Sequence, residues 1–532
     1  MESSAATLSS ILDLAAGRRS NIGTAPTIAS LLDIENALSV LPETVPSSGL
    51  GTEEALKFVR ENIVPGLATG QAGPRYFGFV TGGVVPAAEA GDFLTTIYDQ
   101  NCASSLASSV FQEQLVSAAV EDRTLEMVLD LLNLPGEKFA ARVLTTGATA
   151  SNILAMACGR DYAVRTATGN EEHSVAEDGF AGTTVQVLCD RPHASTIKAA
   201  ALVGIGRSNV IDMGSPDGRG VNLDQLESKL SKFATSFEKE RKTAFVVLSF
   251  GEVNTGEFSP NIAVVRELCD KYNVWLHIDA AFGAFARLAP ELAFIAKNLE
   301  LADSITLDAH KWLNVPYDCG LFFSRSLSLQ KSIFGPSPNA PPPAYLTPAP
   351  NPNAPPRTPK LEAAHAIPSG MILGIENSRR FRALPLFCAI LALGREGYAD
   401  IVSRNVAFAR RIARWMHTGP GSRWYRVLNI ETGAVPGEVD LNVVLFRAKD
   451  DCEIDMYAPH HPTGSAALVN AINQTRKMYV TPSVGSDGRG AIRIAVSNWM
   501  TGLSREGEMD DFQVVTNVLE GVMGTTSGTA SS

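Results

Sequence analysis

Between about residues 142 and 323 the chain alternates short apolar runs with amphipathic stretches. The runs are Arg142–Thr146, Thr183–Cys189, Asn209–Met213, Ala244–Phe250, Asn273–Ile278, Asp303–Leu307 and Gly320–Ser324. Short apolar runs bounded by turn-forming residues predict buried strands. Between two of them Leu223, Leu226, Leu230 and Phe233 fall on one helical face, and a further helix after Pro260 turns Ile262, Val265 and Leu268 inward. Ahead of them, Leu125, Val128 and Leu131 have helical spacing within 114–132. Strands alternating with helices predict an α/β domain whose sheet is mainly parallel and covered on both faces.

The pattern then breaks. Eleven of the 30 prolines lie between Pro336 and Pro359, which removes backbone donors and argues against sheet or helix there. A polyproline-II-like or mobile loop is expected, serving as an active-site lid or as a linker. Beyond it Phe381, Leu384, Phe387, Cys388 and Leu391 mark a helix with an expected kink at Pro385, followed by a second helix near 400–416. DLNVVLFRA and AIRIAVSNW alternate as half-buried strands, with Ile492, Ile494 and Val496 on one face and Arg493 on the other. The expected division is an N-terminal arm at 1–110 packing on a partner subunit, a large domain at 111–330 and a Pro-rich insertion at 331–376. A small α+β C-terminal domain at 377–524 and a frayed tail at 525–532 complete it.

Composition narrows the function. With 45 Lys+Arg against 56 Asp+Glu the net charge is −11, which argues against nucleic acid or an anionic membrane as the main partner. No run is apolar enough to span a bilayer. The opening MESSAATLSSILDLAAGRRS carries acidic residues and places its basic pair after the apolar stretch, a poor fit to a targeting signal. Seven scattered cysteines without a CxxC read as reduced thiols in the cytoplasm, with no zinc or other metal expected.

The candidate chemistry sits where the strands end. Lys311, in DAHKWLNVPYDCG, follows a buried strand; in a desolvated pocket its pKa falls and it becomes a nucleophile able to form a Schiff base, whereas alone it reads as a surface lysine. Asp279 ends the apolar strand of NVWLHIDAAFGAF, where a carboxylate can keep a pyridine nitrogen protonated or merely cap a helix or bind a metal. Ala280 and Ala281 follow it, small enough for a flat ring to lie alongside. TTGATASN turns from strand to helix through Gly147, Ala148 and Thr149, a geometry suited to a phosphate and also common elsewhere. His193 follows another strand, either to stack on a flat cofactor or to cap a helix, and Asn254 and Thr255 lie at yet another strand end. An anion turn, an imidazole, a carboxylate and a lysine thus succeed one another along one edge of a sheet.

On these residues the chain resembles the group II pyridoxal-phosphate-dependent amino-acid decarboxylases, a family that includes aromatic amino-acid, glutamate and cysteine-sulfinate enzymes. PRYFGFVTGG (74–83), YDQN (98–101), TTGATASN, WLHIDAAFGAF, DAHKWLNVPYDCG, NSRRFRALP and RIAVSNW carry the resemblance, from about Pro74 to Trp499, and the chain looks more like the microbial branch than the animal enzymes. The resemblance implies fold type I, aspartate-aminotransferase-like, in a homodimer with active sites shared between subunits. It implies pyridoxal 5'-phosphate bound as a Schiff base to Lys311, with Asp279 at the ring nitrogen, His193 stacked on the ring and Ala281 on its other face. Ala148, Thr149 and His310 would surround the phosphate, and Asn254 would be a further cofactor contact. The implied reaction is decarboxylation of an L-amino acid, aromatic by preference, to an amine and carbon dioxide. Phe77, Phe79, Tyr98, Tyr345 and Arg380 are the substrate candidates; core packing is the alternative for Phe77, Phe79 and Tyr98, and for Arg380 and Arg493 the alternatives are holding a carboxylate or bracing structure.

Two departures stand out. The family's mobile loop carries a proton-donating tyrosine shortly before the arginine pair, but IPSGMILGIENSRR has none, leaving Tyr345 as the nearby candidate. That opens an aldehyde synthase, a transaminase or another lyase as the alternative activity. Gly73 stands where the family often has histidine.

Overall fold

The computed structural model describes residues 4–102, 116–215, 218–234, 241–340, 358–431, 433–450, 452 and 466–524. The chain separates into two compact units, Val84–Ser403 and a second made of Met1–Gly83 with Arg404–Ser532.

The first unit is built on a seven-stranded sheet: β1 (Ala141–Thr145), β2 (Thr183–Cys189), β3 (Val210–Asp212), β4 (Arg241–Ser249), β5 (Leu276–Asp279), β6 (Ser304–Asp308) and β7 (Gly320–Ser324). Their order is β1-β7-β6-β5-β4-β2-β3. From β3 to β6 every pairing is parallel, while β7 runs antiparallel to both β6 and β1. Each run named from the sequence is a strand, with ends shifted by up to three residues. Strands β6 and β7 are buried along their whole length, as expected for a sheet covered on both faces. The helix Ala148–Thr168 buries eleven residues distributed around its circumference, so it shows little amphipathic pattern. The helices Ser117–Leu131 and Ile262–Tyr272 bury the apolar residues that their spacing selects, and Leu223–Ala234 buries Leu226 and Leu230 while Leu223 and Phe233 are half-buried.

The second unit carries a four-stranded antiparallel sheet of β8 (Tyr425–Val427), β9 (Val443–Ala448), β10 (Thr481–Val484) and β11 (Gly490–Ala495), in the order β10-β11-β9-β8. Its core joins Ile492, Ile494 and Val496 to Phe446, Tyr425, Phe77 and the helix Asp511–Gly524. Here the half-buried expectation is corrected: β9 and β11 are buried on both faces. Arg493, placed on the outer face by alternation, is buried and donates from Nη2 to the Phe79 carbonyl at 2.7 Å. A buried guanidinium needs such an acceptor, which makes Arg493 a brace.

Two further expectations change. The helical run Ala383–His417 breaks at Gly394 (φ 57°, ψ −167°) and not at Pro385. Pro385 lies in the first turn, where its missing N–H would have no intrahelical acceptor; Gly394 tolerates the left-handed φ. Within the proline-rich stretch, Pro359–His365 is a helix, with proline at its first position and the Thr358 hydroxyl accepting from the Leu361 N–H. Tyr345 and the tail 525–532 lie outside the described residues.

Candidate active site

The ends of β1, β2, β4, β5 and β6 meet at one cleft of about 780 Å³, lined among others by Gly147, Ala148, Thr149, His193, Asn254, Asp279, Ala281, His310 and Lys311. The sheet topology thus brings together every cofactor residue expected from sequence, at the carboxyl edge where open α/β sheets bind ligands.

After β1 the chain turns through Gly147 into the helix Ala148–Thr168, whose first N–H groups and positive dipole end face the cleft. A side chain at Gly147 would meet His310 Cε1 at 3.3 Å, and one at Gly320 would meet Gly147 Cα at 2.5 Å. Glycines here let the lysine-bearing segment and the start of β7 press against the anion turn.

His193 follows β2 and takes the helix-capping role that one of its sequence readings gives it. It is the N-cap of the helix Ala194–Leu202, its Nδ1 accepting the Ser195 N–H at 3.2 Å, and its ring is exposed on the cleft wall. After β4, Glu252 folds the loop by accepting from the Asn254 and Thr255 N–H groups, from Asn254 Nδ2 at 3.0 Å and from the Thr255 hydroxyl. Asn254 therefore lines the cleft with its amide N–H committed to Glu252.

Asp279 ends β5. Its Oδ2 accepts from Asn152 Nδ2 at 2.8 Å and its Oδ1 from the Ala281 N–H at 3.2 Å. Lys311 follows β6 in a short helical turn, Ala309–Trp312. It is not an isolated desolvated amine: Nζ lies 3.2 Å from Asp308 Oδ2. The same buried carboxylate accepts the Ala148 N–H at 2.6 Å and sits 3.6 Å from His310 Nε2. Burial pushes the His310 imidazole below its ordinary pKa, with Asp308 opposing that shift. His310 Nδ1 accepts the Cys319 N–H at 3.3 Å, and its ring packs against Tyr317 with centroids 4.4 Å apart.

Sequence reasoning missed Asp308, Asn152, Ser195, Phe282 and Tyr317. Asp308 was signalled by its place three residues before Lys311, and Asn152 by its place one helical turn beyond Ala148. Among the substrate candidates, Phe77 is a core residue and Phe79 is exposed with a positive φ of 59°, both in the second unit. Tyr98 is exposed at the end of the helix Pro86–Tyr98 and does not line the cleft. Arg380 pairs with Asp92 at 2.7 Å, also away from it.

An amine, a carboxylate with neutral partners, an accessible imidazole and a helix N-terminus around one flat-walled cleft fit pyridoxal phosphate. Residues 35–340 match the pyridoxal-dependent decarboxylase conserved domain. The chain belongs to this family. As a pyridoxal-dependent decarboxylase it is a carboxy-lyase using pyridoxal phosphate, with the fold-type-I architecture of its structural neighbours. It is similar to Oryza sativa TDC, solved with PLP and tryptamine, at a TM-score of 0.77 and 20% identity, covering 98% of this chain and 97% of that one. It is 27% identical over 288 residues to L-2,4-diaminobutyrate decarboxylase of Acinetobacter baumannii, a match spanning 53% of this chain and only 52% of that protein. To the aromatic-L-amino-acid decarboxylase of Bacillus atrophaeus it is 22% identical over 408 residues, 77% of this chain and 76% of the other. No helix among the described residues is long and apolar enough to cross a membrane, and all seven cysteines are free.

Proposed function

We propose that this decarboxylase converts an L-amino acid, aromatic by preference, into its amine and carbon dioxide, as a cytoplasmic homodimer with shared active sites. The observation that carries the reading is the pairing, across one cleft, of Lys311 with Asp308 and of Asp279 with neutral donors only.

Pyridoxal phosphate, when bound, supplies the electron sink that lets a carboxylate leave. Lys311 Nζ supplies the amine that holds the cofactor, and Asp308 aims it. Asp279 holds a proton at the ring nitrogen with the lone pairs that Asn152 and Ala281 leave open. His193 would lie against one face of the ring and exclude water there, and the Ala281 methyl would lie against the other. Thr149 and the helix N-terminus bind the phosphate beside His310, whose lowered pKa keeps it neutral at pH 7. Asn254 would be a further contact on the same wall. Tyr317 places a phenol on the cleft wall, where it is a proton donor alternative to Tyr345. Phe282 and Tyr317 add aromatic surface suited to an aromatic substrate. For a dimer, support comes from the exposed Leu31, Leu32 and Leu38 on the helix Leu31–Ser39; the seven free thiols fit a reducing compartment.

The missing loop tyrosine favours one second reading, aldehyde formation with consumption of oxygen. The test is a panel of L-amino acids incubated with holoenzyme, with and without oxygen, assayed for carbon dioxide, amine and aldehyde. Equal yields of amine and carbon dioxide from an aromatic acid, independent of oxygen, are expected. Aldehyde as the main product overturns the amine-forming reading and leaves the cofactor assignment intact.

A further inference from the structure

Behind the cleft wall lies a chain of buried polar groups that reaches the cleft at Asp279, Ser195 and His193. Asn152, fully buried, donates from Nδ2 to Asp279 Oδ2 at 2.8 Å and to Ser195 Oγ at 3.0 Å. Its Oδ1 lies 3.2 Å from Nε2 of His277, also fully buried. His277 Nδ1 is 2.9 Å from Ser304 Oγ, which accepts from Trp275 Nε1 at 3.0 Å. At the other end Ser195 Oγ lies 2.7 Å from His193 Nδ1.

The donors along this chain are fixed by elementary chemistry. An indole N–H can only donate, so the Ser304 hydroxyl accepts from Trp275 and is free to donate to His277 Nδ1. Burial lowers the His277 pKa to about 4, so the ring is neutral and its one proton lies on Nε2, facing Asn152 Oδ1. That turns the amide Nδ2 toward Asp279, which as a carboxylate can only accept. The opposite tautomer would donate from Nδ1 to the Ser304 carbonyl, 3.1 Å away, and would turn Asn152 Oδ1 onto the Asp279 carboxylate, oxygen against oxygen. Asn152 therefore spends one N–H on Asp279 and the other on Ser195. The Ser195 hydroxyl donates in turn to His193 Nδ1, which already accepts the Ser195 N–H, so the His193 proton lies on Nε2.

We propose that Asn152 is a positioning residue that sets, as one unit, the orientation of the Asp279 carboxylate and, through the Ser195 hydroxyl, that of the His193 ring. The inference rests on the reading of Asp279 and His193 given above. Both bonds that Asp279 accepts come from neutral groups, an amide and a backbone N–H, so its charge is kept for a cation in the cleft. An apolar residue at 152 leaves the carboxylate to rotate and the His277 Nε2–H without an acceptor.

The test uses holoenzyme of Asn152→Leu, Ser195→Ala and, as control, Asp279→Asn. One hydrogen bond to a charged group corresponds to about 10- to 100-fold. Asn152→Leu is expected to lower kcat by about that factor with KM nearly unchanged, and to move the pH midpoint of the visible cofactor absorption by about one unit, a tenfold change. Ser195→Ala cuts only the arm to His193; a smaller loss, about fivefold in kcat, is expected with the absorption midpoint unmoved. A loss of thermal stability in Asn152→Leu with the wild-type midpoint and kcat overturns the proposal. If Asn152→Leu does not fold, Ser195→Ala decides: wild-type kcat overturns the bridge and the expected loss supports it. An Asp279→Asn enzyme that behaves as wild type overturns the underlying reading of Asp279; altered Asp279→Asn beside unaltered Asn152→Leu overturns the bridge alone.

Discussion

Asp279 and Asp308 end adjacent parallel strands, β5 and β6, and face the same cleft, yet they are held in opposite ways. Asp279 accepts from two neutral donors and has no cation paired with it among the described residues. Asp308 is buried against a cation, Lys311, and also accepts the first N–H of the helix Ala148–Thr168. A carboxylate already paired with a lysine has its charge answered locally, and its work is to place that lysine. A carboxylate with only neutral partners keeps its field for whatever cation enters, which in the proposed reading is the protonated ring of the cofactor. Residue type and strand position are shared; the second partner assigns the role.

Removing the lysine breaks the comparison most severely. Lys311→Ala leaves Asp308 without its cation and the cleft without its amine, and turnover is expected to fall by at least about 1000-fold. Borohydride reduction of wild-type holoenzyme followed by peptide mapping should tag Lys311, and the tag should vanish in the variant. A tag elsewhere would sink the assignment.

The paired amide variants give the next largest effect. Asp279→Asn removes the charge kept for the ring and is expected to cost about 100-fold or more in kcat while cofactor is retained. Asp308→Asn keeps an acceptor for the Ala148 N–H and loses only the charge opposite Lys311, so a cost of about tenfold is expected. Equal losses in the two variants would erase the distinction.

An effect on stability, and none on the site's chemistry, comes from a third strand-end aspartate. Asp190, after β2, is fully buried; Oδ1 accepts the Ser249 N–H at 2.7 Å while Oδ2 has no hydrogen-bond partner. Burial pushes its pKa up to about 7, so it answers its isolation by taking a proton. A raised carboxyl pKa makes stability fall as pH rises from about 4 to about 7, by something on the order of 4 kcal/mol. His277, lowered to about 4, does the reverse and loses stability as pH falls below about 6.5. In the wild type the two slopes offset each other between about 4 and 6.5. The thermal midpoint of Asp190→Asn relative to wild type is therefore expected to rise steadily from pH 4 to pH 7; a constant difference would refute the raised pKa.

Much of this was legible in the sequence because buried parallel strands write themselves as short apolar runs, and their ends fall where the cleft must be. Lys311, Asp279, His193 and the Gly147 turn were found that way. Sheet order was not legible: that β7 turns back between β1 and β6 depends on pairings between distant segments, which no local pattern records. Asn152 and Ser195 were missed because a polar residue inside a helix looks like a surface position until its partners are known. Phe77 shows the converse, since an aromatic residue in a family signature can be core. Arg493 was misjudged because alternation tells which face a side chain takes, not whether that face is covered.

The reversal of direction at β7 has a consequence for how this scaffold can diversify. A parallel neighbour to β6 would need a long crossover carrying the chain away from the cleft, but the antiparallel β7 brings it straight back, and the segment Leu313–Cys319 must bend along the rim with Tyr317 on it. Substitutions at the exposed Tyr317 reshape the mouth of the cleft while Lys311 stays in the helical turn that follows β6. A lineage exploring new substrates thus has a place to vary that is next to the reacting amine in space and yet independent of the sheet that carries it.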